Sequence, residues 1–221
     1  MKKLLNFISN PKVKAGIILL FLLNCYIFIS AFSYVRAVSN DISSSVFRLH
    51  VLANSDTAED QNLKYLVRDS LLDYMNNLCK GIKSKEDAIN LVTEHKKDFE
   101  DIALKVISEN GYDYSVKINI GNFYFPTKTY GDISLPAGMY DALRVEIGKA
   151  SGQNWWCVMF PSLCFIDISS GIVNNESKEL LEENLSDESY NIVSNTSNVS
   201  IKFKFKLLEL FAHKNITTAK N

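Results

Sequence analysis

From Ala15 to Val35 the chain carries no charged residue. The run Ile17-Ile18-Leu19-Leu20-Phe21-Leu22-Leu23 continues, after Asn24, into Tyr26-Ile27-Phe28-Ile29. No polar face interrupts it, and about 20 apolar residues are enough to cross a bilayer as a helix. The pattern then changes to a period of two. Phe47, Leu49, Val51 and Ala53 alternate with Arg48, His50 and Leu52, which predicts a strand with one apolar face. Asn54-Ser55-Asp56-Thr57 stops it, and Asp56 followed by Glu59 reads as a capping box. Spacings of three and four come next. Leu63, Leu66, Val67, Leu71, Tyr74, Met75 and Leu78 form one stripe and predict a helix from Ala58 to Cys79, stopped by Lys80-Gly81. Ser84 with Asp87 opens a second helix to Asn110, whose stripe is Ala88, Leu91, Val92, His95, Phe99, Ile102 and Val106. His95 has no partner at helical spacing and reads as a core-edge histidine.

A period of two returns at Tyr114, Val116, Ile118 and Ile120, with Phe123-Tyr124-Phe125-Pro126 extending or capping that strand. Leu135-Pro136-Ala137-Gly138 reads as a turn. Leu143, Val145 and Ile147 alternate with Arg144 and Glu146. The segment Gly148 to Gln153 then joins this run to Asn154-Trp155-Trp156-Cys157-Val158-Met159-Phe160, which suggests a β-hairpin. Pro161 interrupts, and Leu163-Cys164-Phe165-Ile166 continues extended. Residues 168–198 read as a loop around one short helix, Ser177 to Leu185. The alternation from Val199 to Leu207 predicts a final strand, turning helical at Leu208-Glu209-Leu210-Phe211. The expected fold class is α+β: an N-terminal membrane-spanning or signal helix, then an antiparallel sheet with two amphipathic helices packed on one face. The expected organisation is a basic cytoplasmic segment 1–14, a signal peptide or membrane anchor 15–36, a linker 37–44, an extracytoplasmic domain 45–213 and a tail 214–221.

Charge gives the apolar segment a direction. Residues 1–36 hold Lys2, Lys3, Lys12, Lys14 and Arg36 and no acid. The four lysines precede the run, so the positive-inside rule leaves the N-terminus in the cytoplasm and sends the rest outside. Of 24 basic residues in the chain, 19 then face 25 acids, a net charge of −6 for the exported part. Such a domain repels phosphate backbones, which argues against nucleic acid as a partner. Val35-Arg36-Ala37 and Ala37-Val38-Ser39 offer small residues to a signal peptidase, whereas the run is longer than a signal-peptide core; cleavage and anchoring both stay open. Over all 221 residues, 47% hydrophobic and 22% charged composition fits one packed domain. Cys157 and Cys164 lie close enough in sequence for a disulfide, which export permits, or for two buried thiols.

Two polar groupings are candidates for chemistry. Arg48 and His50 share the strand face opposite the apolar one, with Asn54, Ser55 and Asp56 at its end and Arg68 near if the helix packs back. His50 with Asp56 offers general acid–base work, the whole set offers a binding surface, and caps with ion pairs account for it equally. The second grouping is Asn154, Trp155 and Trp156. Adjacent tryptophans in a strand point to opposite faces, so one of them must be covered by a helix or a partner. No nucleophile elbow, zinc-protease helix, phosphate loop or dinucleotide fingerprint is present. The residues favour an exported binding protein over an enzyme, with no catalytic residue, metal, cofactor or small-molecule substrate expected.

At these two blocks the sequence resembles the stage II sporulation protein R family of endospore-forming bacteria. The first block is Phe47-Arg48-Leu49-His50-Val51-Leu52-Ala53-Asn54-Ser55-Asp56-Thr57, with Glu59-Asp60-Gln61-Asn62-Leu63-Lys64 and Val67-Arg68-Asp69. The second is Pro136-Ala137-Gly138, Tyr140 to Gly148, and Asn154-Trp155-Trp156-Cys157-Val158 through Leu163-Cys164-Phe165. Ala150 stands where a glycine is expected, and Ser162 where a second proline is expected. The resemblance implies a protein made in the forespore and exported into the space between the two sporulation membranes. There it would activate a membrane-embedded aspartic protease of the mother cell, stage II sporulation protein GA, which cleaves the pro-segment of sigma factor E. The alternatives from other classes are an exported hydrolase using His50 and Asp56, and a structural cell-envelope protein.

Overall fold

The uncharged run lies in helix α1, Pro11–Ser45. The computed structural model describes residues 10–163, 166–167 and 172–194, and the chain divides into two units between Val38 and Ser39. In the first unit the side chains of Ile17–Leu23 and Tyr26–Ile29, Asn24 and Cys25 aside, are large, apolar and exposed. The most apolar window has a mean hydropathy of 2.3 and none of it is buried. Lipid can cover such a surface, and a helix satisfies its own backbone there. The helix is therefore compatible with a signal anchor or a membrane segment.

The second unit opens with the last turns of the same helix. Ile42 is fully buried, the Asp41 carboxylate accepts from the Ser186 N–H and hydroxyl at 3.1 and 2.7 Å, and Ser45 donates to the Asn184 carbonyl. The expected linker at 37–44 is thus helical, and from Ser39 on it belongs to the packed domain. Ile42 and Val46, four apart, give those turns an apolar stripe.

Strand β1, Phe47–Leu52, follows at once and becomes a central strand. Helix α2, Ala58–Leu78, is capped by Thr57, whose hydroxyl accepts the Asp60 N–H at 3.3 Å. The cap is therefore one residue later than the capping-box reading of Asp56. Ser84 caps α3, Lys85–Glu94, as expected, but the second predicted helix breaks at His95 and resumes as α4, Lys96–Glu109. His95, read from the sequence as lacking a partner at helical spacing, meets Asp98 three residues on at 2.7 Å and the Tyr74 hydroxyl at 3.1 Å, and its φ of −96° and ψ of 15° interrupt the helix. Three helices thus stand where two were expected.

Strand β2, Val116–Phe125, takes in the aromatic run. A short hairpin, β3 Lys128–Tyr130 with β4 Ile133–Leu135, precedes β5, Gly138–Ile147, and β6, Asn154–Phe160. The sheet order is β2-β5-β1-β6. Strand β1 runs parallel to β5 and antiparallel to β6, and β2 is antiparallel to β5. The α+β class holds, with a mixed sheet in place of an antiparallel one, because β2 starts level with the end of β1 and carries the chain back, so that β5 runs in the direction of β1. The anticipated β5–β6 hairpin does not form: β1 lies between the two strands and pairs with both. A two-residue pair, β7 Ile166–Asp167 with β8 Ile172–Val173, leads to α5, Asn175–Asn184, and α6, Asp187–Ser194. Helix α6 occupies part of the stretch read as loop. The predicted strand from Val199 to Leu207 lies outside the described residues.

Leu49, Val51, Leu143, Val145, Ile147, Val116 and Ile118 face one way and are buried with Leu63, Val67 and Leu71 of α2 and Phe99, Ala103 and Ile107 of α4. Each such side chain contributes about 1.5–3 kcal/mol on burial. Helices α2 and α4 therefore take one face of the sheet and leave the other, which carries Arg48 and His50, to different neighbours.

Candidate functional site

The Asn54-Ser55-Asp56 loop is a clamp between the end of β1 and the β5–β6 connection. Asn54 Oδ1 accepts the Lys149 N–H at 3.0 Å, and its carbonyl accepts the Ser151 hydroxyl at 2.6 Å. Asp56 Oδ1 accepts the Gln153 N–H at 2.7 Å. The Asn54 amide and the Ser55 hydroxyl both donate to Asp60. Burial alone would raise the Asp60 pKa; these bonds outweigh it and hold the carboxyl below its usual range. The connection fits only because Gly152 lacks a side chain, since a Cβ there would overlap the Ser55 carbonyl. Ala150, by contrast, stands in the left-handed region at a φ of 49°. That conformation costs a residue with a Cβ roughly 1–2 kcal/mol, against roughly 0.4–1 kcal/mol of unfolded-chain entropy that glycine adds. Ala150→Gly is expected to raise stability by about 0.5 kcal/mol, read as a higher midpoint of thermal unfolding; a lower midpoint would refute the strain.

Arg48 does not reach solvent: it is 0% exposed. The β3–β4 hairpin places Tyr130 against it, and the guanidinium carbon lies 4.1 Å from the Phe125 ring centre, 4.7 Å from Tyr140 and 5.9 Å from Tyr130. Its Nη2 donates to the Tyr130 hydroxyl at 2.6 Å, which in turn donates to the Trp156 carbonyl at 3.2 Å. Nε reaches the Cys157 carbonyl at 3.5 Å, and Nη1 has no hydrogen-bond partner. Aromatic faces stand where a carboxylate would ordinarily be. Burial raises the pKa values of Tyr130 and Tyr140, so both hydroxyls stay protonated.

His50, 5% exposed, sits one step along the same face. It stacks on Trp156 with ring centres 3.8 Å apart and bonds through Nε2 to Asn154 Oδ1 at 2.7 Å. Burial lowers its pKa to about 4; the Asn154 bond opposes this, and the charges of Arg144 and Arg48 add to it. It is thus a neutral imidazole, with Nδ1 unpartnered. Asp56 and His50 have separate partners and form no hydrogen-bonded dyad, so the arrangement offers no general-base pair.

The remaining candidates divide between the two faces. Trp155 turns to the helices, where Tyr65 meets it edge-on at 5.4 Å and the Arg68 guanidinium lies 4.3 Å from its ring. Arg68 also pairs with Asp69. Trp156, half-buried, lies on the Arg48 face with exposed Asn154. Sequence reasoning passed over Arg144, although it alternates with Leu143 and Val145. It pairs in register with His50 on one side and Asn119 on the other. Its guanidinium is 2.9 Å from Glu146 and 5.4 Å from the Phe123 ring centre, with Nε unpartnered. Cys157 is disulfide-bonded, and its expected partner Cys164 lies outside the described residues. Burial raises Cys79 to about 11, which leaves an unreactive thiol. Among the described residues no cluster of three metal-ligating side chains occurs.

Against known proteins, a family model described as stage II sporulation protein R matches residues 43–170. Stage II sporulation protein R of Bacillus subtilis (strain 168) is 37% identical over 140 residues, which span 62% of this chain and 62% of that protein. No solved structure matches.

Proposed function

The chain belongs to the stage II sporulation protein R family, and on that premise we propose that it is an exported signal that activates a membrane-embedded protease. Its sporulation role comes with the family. The finer reading is that the domain lies between the forespore and mother-cell membranes and acts on stage II sporulation protein GA, which then processes the sigma factor E precursor. The observation that carries this reading is the family match over residues 43–170, which takes in the whole four-stranded sheet. The apolar helix ahead of that match supports export. The two residues an exported hydrolase would use are held by Asn154 and by the Gln153 amide, which favours a binding role.

The test is co-expression of this chain, the candidate protease and the sigma-factor precursor in cells that do not sporulate. The precursor is expected to be cleaved only when all three are present. Cleavage without this chain, or none with it, would overturn the reading. A reporter fused after residue 45 is expected to be active only outside the cytoplasm, and cytoplasmic activity would remove export from it.

A further inference from the structure

Four buried side-chain polar atoms among the described residues have no hydrogen-bond partner: Arg48 Nη1, His50 Nδ1, Arg144 Nε and Trp155 Nε1. Three of the four lie on the sheet face turned away from α2 and α4. Buried polar atoms are nearly always paired; Arg48 Nη1 is shut in among the rings, so the orphans that ask for a group from elsewhere are His50 Nδ1 and Arg144 Nε. Two of the three belong to guanidiniums. The hairpin β3–β4 closes the Arg48 end of this face, whereas at the other end the Arg144 side chain is 31% exposed. Around it Asn119, Phe123 and Trp156 are half-buried, and Lys117 and Asn154 are exposed. Among the described residues, Arg48, Arg144 and Lys117 bring three positive charges to this face against the carboxylate of Glu146, in a domain that is acidic as a whole. That carboxylate meets Arg144 through one nitrogen and leaves Nε open.

We propose that this face of β1, β5 and β6 is a docking site for an acidic segment of a partner protein, whose carboxylate lands on Arg144 beside His50 while its neighbouring side chains lie on Trp156 and Phe123. Arginine suits the role because its planar fork holds a carboxylate through two nitrogens and still stacks on an aromatic ring. A partly buried tryptophan beside the charge is the kind of residue that anchors protein interfaces. An arriving carboxylate also gives His50 a reason to take up a proton, turning its bare Nδ1 into a donor. The inference rests on the signalling reading for its occupant, a protein segment; the carboxylate site stands on the geometry alone.

The test uses the full chain in detergent micelles, with acetyl-hexaglutamate amide as the probe and tryptophan emission as the readout, Trp155 and Trp156 being its two tryptophans. A saturable, salt-sensitive change is expected, with acetate at the same carboxylate concentration giving none. Arg144→Glu should weaken the affinity at least tenfold. Asn119→Asp, which sets a carboxylate across from Arg144 without disturbing the core, should block the probe as well. Lys105→Glu, the same charge change on the exposed side of α4, should leave it unaltered. No saturable change in the wild type, or an equal loss in Lys105→Glu, overturns the site. In the co-expression assay Arg144→Glu should accumulate and fail to trigger cleavage. Normal cleavage by that variant overturns the docking role. A wild type that triggers no cleavage removes the signalling reading, and the titration still decides the site.

Discussion

Arg48→Ala is expected to lower the free energy of unfolding by about 3–5 kcal/mol, and Arg48→Met to change it by less than about 1.5 kcal/mol. The two substitutions separate volume from charge. Alanine leaves a void among Phe125, Tyr130 and Tyr140 that close-packed rings cannot fill. Methionine fills most of it with flexible, polarisable atoms. What methionine forgoes is a charged hydrogen bond to Tyr130 and three ring contacts. What it removes is a buried guanidinium with no carboxylate and one unpaired nitrogen. These terms are of similar size and opposite sign, and Tyr130 keeps its bond to the Trp156 carbonyl in either case. Urea unfolding of the two variants beside the wild type measures the difference. Equal losses would mean that the ring contacts and the hydrogen bond, not the filled space, hold this face together.

Acid is the second perturbation with a large expected effect, acting through His50. Its pKa is about 4 in the folded protein against 6.5 in the unfolded chain. As pH falls below about 6.5 the unfolded chain takes up a proton that the folded protein refuses. The stabilisation is therefore complete above pH 6.5 and drains away down to about pH 4, below which this group makes no further difference. At about 1.4 kcal/mol per pH unit, the drop amounts to roughly 3 kcal/mol. Asp60, whose pKa is depressed below its ordinary 3.8, acts in the same direction but at the lower end of the range. Chemical unfolding at four pH values between 7.5 and 4.5 should show the slope, and His50→Gln, which retains a donor toward Asn154, should lose most of it. An unchanged slope in that variant would place the acid sensitivity elsewhere.

Much of the domain was legible because its signals are local. The stripe of α2 and the alternation of β1, β2 and β5 each lie within one segment and mark most of the core, Leu63, Val67, Leu71 and Met75 among it, although Leu66 of that stripe is exposed and Leu72 outside it is buried. What failed to show is what depends on distant partners. Adjacent strands joined by a short turn are by default a hairpin, and nothing within Leu143–Phe160 reports that β1 intervenes. Asn54, Ser55 and Asp56 were recognisable as the end of a strand, but their work on the Gly148–Gln153 connection depends on a register that only the folded sheet provides. Arg48 looked like a wet residue because it alternates with apolar neighbours. The hairpin that buries it consists of two three-residue strands, too short to carry a periodic signal. Arg144 escaped notice for the same reason in reverse: its meaning comes from His50 and Asn119 beside it, not from its own strand.

The place of β1 also bears on when the domain can fold. If the chain is exported as proposed, β1 is the first strand to cross, yet its ladders wait for β5 and β6, and His50 meets Asn154 across 104 residues of chain. Until β5 has emerged, β1 has no neighbour on either side, and until β6 follows, one of its edges stays unpaired. A fold of such high contact order closes late and slowly. On the proposed export route this means that β1 stays unpaired while the helices and β2 cross behind it, and that the sheet gains its centre only when β5 has followed.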